Sequence, residues 1–83
     1  MYFLRVDVFP IDKVFISKQK KDLIDLMFSK YEFIDYVPNM EEGIEILNDL
    51  FDGYNEAIEK YKFGKLTIEK ATTFEGCDIE RLF

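Results

Sequence analysis

The sequence predicts an α+β domain: a small antiparallel sheet with two helices packed on one face, in β-α-(β)-α-β order. Three observations predict it. Apolar residues alternate at period two near both ends of the chain, in "MYFLRVDV" and "KLTIEKATTF". Between these stretches they recur at helical spacing in two segments, each opened by a capping residue. The chain has 83 residues, 48% of them hydrophobic, with only four Gly and two Pro. That composition gives one folded domain, residues 1–83, and no room for a second core.

The elements follow in order. In the first stretch Tyr2, Leu4, Val6 and Val8 share one face, and Phe3, Arg5, Asp7 and Phe9 the other. Pro10 ends this strand. Ser17 is the expected N-cap of "KQKKDLIDLMFSKY", where Leu23, Ile24, Met27, Phe28 and Tyr31 mark one helical face. "EFIDYV" is β-rich and stopped by Pro38, which fits a short strand or an irregular bridge. Asn39 then caps a second helix, with Glu42 as its capping-box partner, expected to run to about Phe63. Gly64 supplies its left-handed exit. Leu66, Ile68 and Phe74 share a face of the closing strand, and "CDIERLF" is a further strand or a helical turn.

The second helix carries the sharpest feature. Met40, Ile44, Leu47, Phe51, Tyr54, Ile58 and Tyr61 form one stripe, flanked by Ile46, Leu50 and Ala57. This is the core face of an amphipathic helix, or the seam of a helix dimer. Glu41, Glu42, Glu45, Asp49, Asp52, Glu56 and Glu59 fall on the opposite stripe. From Tyr31 through Glu59 there are nine acids and no Lys or Arg. Solvated helix faces normally interleave the two signs, because a like-charged i,i+4 pair costs about 0.2–0.5 kcal/mol. Six such pairs along the stripe cost roughly 1–3 kcal/mol at low salt. The stripe is thus either a solvated face or a surface for a basic partner. Residues 41 to 59 span about 27 Å, over which one nucleic-acid strand carries about 8 charges and a duplex about 16. Seven carboxylates match the single strand. Glu32 and Asp35 lie just upstream and extend the patch if they fold alongside it.

Other chemistry is scarce. The chain contains no histidine and one cysteine, so the commonest general base and metal ligand is missing and no internal disulfide can form. No metal or cofactor is expected. Asn48, Asp52, Gly53 and Glu59 occupy positions 1, 5, 6 and 12 of a calcium-loop template, but Leu50 stands where a ligand belongs. Net charge is −6, which disfavours direct binding to nucleic acid or to an anionic membrane. No leader-like or membrane-spanning stretch is present in the sequence, so a soluble, cytoplasmic protein is expected. Lys18, Lys20 and Lys21 crowd the start of the first helix, either as a solvated turn or as the electrostatic partner for the acidic helix of a second copy or of another protein. Fourteen aromatic rings are many for so small a core. Either both sheet faces are covered or some rings form a contact surface, which makes a homodimer the alternative expectation. Cys77 is expected as a small buried filler.

In size and charge the chain resembles small acidic inhibitors of phages and mobile elements, including anti-CRISPR and anti-restriction proteins. The resemblance implies a non-enzymatic protein that occupies the basic, nucleic-acid-binding surface of a partner protein.

Overall fold

The computed structural model describes residues 1–52, 60–70 and 78–83. They form a mixed α+β domain with a five-stranded sheet and two helices. Strand β1, Tyr2–Val8, follows the alternation: Leu4 and Val6 are buried, while Asp7 and Phe9 are exposed. The segment after Pro10 departs from expectation. Residues Ile11–Ser17 form a second strand, β2, paired antiparallel to β1 with Val8 opposite Ile11. Period two is masked there because Val14, Phe15, Ile16 and Ser17 are all buried, so both faces of the strand are covered. The turn pair Phe9 and Pro10 is also not the Asn-Gly type that advertises a hairpin.

Ser17 closes β2 rather than capping a helix. Helix α1 spans Lys20–Lys30, and Gln19 holds its cap position without a side-chain bond. Ser17 still serves the helix start from one turn away. Its hydroxyl accepts from the Gln19 N–H (3.1 Å) and donates to Asp22 Oδ2 (2.9 Å), so this buried oxygen is satisfied. Leu23 and Met27 are buried, and Ile24 and Phe28 pack half-buried beside them. Glu32 then takes a left-handed conformation (φ 50°), which turns the chain. "FIDY" is not a strand but a 3₁₀ turn, Phe33–Tyr36, that buries Phe33.

Asn39 caps helix α2, Met40–Asp52, as the sequence predicts: the Glu42 N–H donates to Asn39 Oδ1 at 2.9 Å. The buried line on α2 is Gly43, Leu47, Leu50 and Phe51. Met40, expected on the core stripe, is 53% exposed, so the helix is rotated toward Gly43. The reason is close approach to α1, since a Cβ on Gly43 would stand 2.8 Å from Phe28 Cζ and 3.1 Å from Val37 Cγ2. Only hydrogen fits without a shift. Replacing Leu47 with Ala is expected to cost about 2–5 kcal/mol, because the side chain is fully enclosed. Urea titration measures this, and an unchanged midpoint would remove Leu47 from the core.

The helix does not reach Phe63. Residues Lys60–Phe63 form strand β3, which pairs antiparallel with β4, Leu66–Lys70, with Phe63 opposite Leu66. Gly64 does have positive φ (58°), but it uses that freedom in the turn of this hairpin. A left-handed glycine marks a helix exit and a tight hairpin equally well, so the residue alone does not separate the two. Tyr54, Ala57 and Ile58 of the expected stripe, along with Phe74 and Cys77, lie outside the described residues.

The tail forms β5, Asp78–Arg81, which pairs parallel to β2. The sheet is therefore mixed, in the order β3-β4-β1-β2-β5, and not the purely antiparallel sheet expected. The element order is β-β-α-α-β-β-β, with the 3₁₀ turn between the helices. Leu4, Val6, Phe15, Leu66 and Ile68 on one sheet face join Leu23, Met27, Phe33, Leu47 and Leu50 in a single core. On the other face Val14 and Ile16 are buried, with Phe3 packed against them.

That second face also holds the strongest ion pairs. The Arg5 guanidinium donates from Nε and Nη2 to the two Asp12 oxygens (2.9 and 2.6 Å), and from Nη1 to Glu69 Oε1 (2.9 Å). One cation thereby ties β1 to both its neighbours. The Arg5 hydrogen bonds hold the Asp12 carboxyl below its ordinary pKa, against the opposing effect of burial and with a lesser contribution from the Arg5 charge. A depressed carboxyl stabilises the fold above its unfolded pKa and loses that contribution as pH falls through the folded value. The stability gap between wild type and Asp12→Asn should therefore be present at neutral pH and shrink below about pH 4. Urea midpoints across that range measure it, and a gap independent of pH would contradict the assignment.

Candidate functional site

Among the described residues the acidic stripe is carried by α2. Its buried line fixes the rotation of the helix, and so turns Glu41, Glu42, Glu45, Asp49 and Asp52 outward, where all five are exposed. Glu41 and Glu42 stand in the first turn, where the helix dipole favours negative charge. Asp52 is the last described residue of the helix. Lys20 reaches it from α1, its Nζ lying 3.3 and 3.4 Å from the two Asp52 oxygens. The sequence suggests a second copy or another protein as the partner of the lysine cluster, whereas Lys20 pairs with the acidic helix of its own chain. Lys18 lies over the Phe83 ring at 5.1 Å.

Glu41, Glu42, Glu45 and Asp49 have no ion pair among the described residues. Together they make an uncompensated carboxylate surface along the first three turns of α2. Glu32 and Asp35 are exposed on the segment preceding the helix. Glu56 and Glu59, predicted for the same surface, lie outside the described residues. The helical course of 48–52 leaves the calcium-loop pattern without a loop at its start: Leu50 is buried, and Asn48 Oδ1 is buried with no hydrogen-bond partner among the described residues. Among the described residues no group of three acidic or cysteine side chains is placed to hold a metal ion, and no helix is long and apolar enough to cross a membrane.

A charge cluster that sequence reasoning missed lies at the opposite edge of the sheet. Glu80 on β5 approaches Lys13 Nζ (3.9 Å) and Lys30 Nζ (4.0 Å). Lys30 also lies 5.6 Å from the Phe15 ring centre and 6.0 Å from that of Tyr31. Burial, and then the Glu80 carboxylate, push the Tyr31 phenol above its ordinary pKa. No sequence signal announced this cluster, because it needs the parallel pairing that places Glu80 beside Phe15. Half-exposed pairs at such distances are weak, and they serve to fasten β5.

The chain matches no protein-family model, no curated protein and no solved structure.

Proposed function

We propose that the protein acts by binding another protein, presenting the α2 carboxylates to a basic, nucleic-acid-binding surface and blocking it. The chain resembles small phage-encoded anti-defence inhibitors in size and charge, and that resemblance implies the same reading. The observation that carries the reading is charge segregation on α2. Every charged residue of the helix is an acid, and Glu41, Glu42, Glu45 and Asp49 lack a cation partner among the described residues. A surface needed only for solubility has no reason to tolerate that repulsion.

The test is capture of the partner from the native host, identification by mass spectrometry, and titration of the purified pair across salt concentrations. Binding through the carboxylates weakens steeply as salt rises. A second reading, homodimerisation, is favoured by the β1–β2 turn, where Phe9 is 91% exposed and Ile11 is exposed beside it. An apolar contact of that kind is indifferent to salt. The same titration separates the two.

A further inference from the structure

We propose that the open edge of β3 takes up an acidic strand from a partner protein, extending the sheet by one strand. Among the described residues strand β3 pairs only with β4 and ends the sheet, so its other side offers backbone donors and acceptors that no described strand takes up. Its side chains give that edge a sign. Lys60 and Lys62 alternate with Tyr61 and Phe63, and the register places both lysines on the sheet face away from the helical core. Lys65 is exposed in the adjoining turn. The hairpin 60–70 has a single acid, Glu69, and Arg5 already engages it. These three lysines have no ion pair among the described residues. On a chain of net charge −6 they form a basic strip along a strand edge that no other described strand covers.

The occupant follows from that pattern. A strand lying beside β3 presents alternate residues to the lysine face, and glutamates or aspartates there sit opposite Lys60 and Lys62. Its intervening residues fall on the face of Tyr61 and Phe63, whose rings stack at 6.2 Å (interplanar 7°), so apolar residues suit those positions. A second copy of β3 is a poor occupant. Antiparallel pairing about a two-fold axis sets lysines opposite lysines, which is destabilising. Nucleic acid is disfavoured too, because the aromatic rings sit on the face opposite the lysines and cannot stack bases beside them.

The probe is a short synthetic peptide alternating Glu with Val, titrated into isotopically labelled protein while amide shifts are followed. We expect saturable shifts centred on Lys60–Phe63. Two comparisons decide the mode. An N-methylated version of the peptide, with the same charge but without strand donors, should bind at least about tenfold more weakly, and Lys60→Gln/Lys62→Gln protein should lose binding to the same degree. Both lysines are exposed, so the variant should keep its thermal midpoint and the loss will report on binding. Equal binding of the N-methylated peptide would overturn strand addition in favour of simple charge attraction. No shifts at millimolar peptide, concentration-dependent dimerisation through β3, or tighter binding of a single-stranded oligonucleotide at the same residues would each overturn the proposal.

Discussion

Replacing Phe33 with Ala lowers stability by about 3–5 kcal/mol, the expected range for a fully enclosed aromatic ring. Phe33 sits on the 3₁₀ turn between the helices, so its ring holds together elements that make few other contacts. It meets Phe28 of α1 edge to face (5.6 Å, 62°) and Phe63 of β3 in the same manner (5.5 Å, 80°). Each such pair contributes roughly 0.5–1.5 kcal/mol beyond buried area. Small domains possess only about 5–15 kcal/mol in total, and a chain this short stands toward the low end. The variant should therefore unfold at much lower urea concentration and show a large unfolded fraction at 37 °C. A midpoint within error of wild type would mean that the turn is not part of the core.

The second large effect concerns binding. Glu45→Lys combined with Asp49→Lys should slow association with the captured partner by about 10–100-fold at low salt, through loss of electrostatic steering. Stability should move the other way. Glu45 is like-signed with Glu41, Glu42 and Asp49, and Asp49 with Asp52. The double reversal makes 41/45, 42/45 and 49/52 opposite-signed and leaves only 45/49 alike, a gain on the order of 1 kcal/mol. Asp52 is left in place because it pairs with Lys20, so its loss would mix folding with binding. Stopped-flow association and urea unfolding measure the two arms. Unchanged association would make the stripe a solvated surface and nothing more.

The sequence was most legible where one period operated alone. Strand β1 and the Asn39 cap could be read directly, since one face of β1 is core and the cap is a local bond. Strand β2 was lost because it is covered on both faces, which erases alternation. The end of α2 was misplaced because Tyr61 continued the helical spacing by coincidence, and Gly64 suited either reading. β5 depends on pairing with a strand distant in the chain, for which four residues carry no signal. The carboxylates of α2 were read correctly as an outward face in the described part, because the apolar stripe fixes where they point. Their function is a matter of what lies opposite, and the Lys20 pairing of Asp52 required the fold.

The order of strands in the sheet has a consequence for how the chain is made. Of the five strands, β1 and β2 are synthesised first, and the three that flank them, β3, β4 and β5, come last. Until residues 60–81 are synthesised, Leu4 lacks its opposite, Lys70, and Lys13 lacks Asp78. A nascent chain therefore carries a hairpin with both margins bare and with Val14, Phe15 and Ile16 unshielded, the state in which strands recruit one another. Slow closure of such distant pairings lengthens that interval. The helices arrive in the meantime and can cover only one side. Expression should accordingly be sensitive to crowding of unfinished chains and to translation speed over residues 60–81.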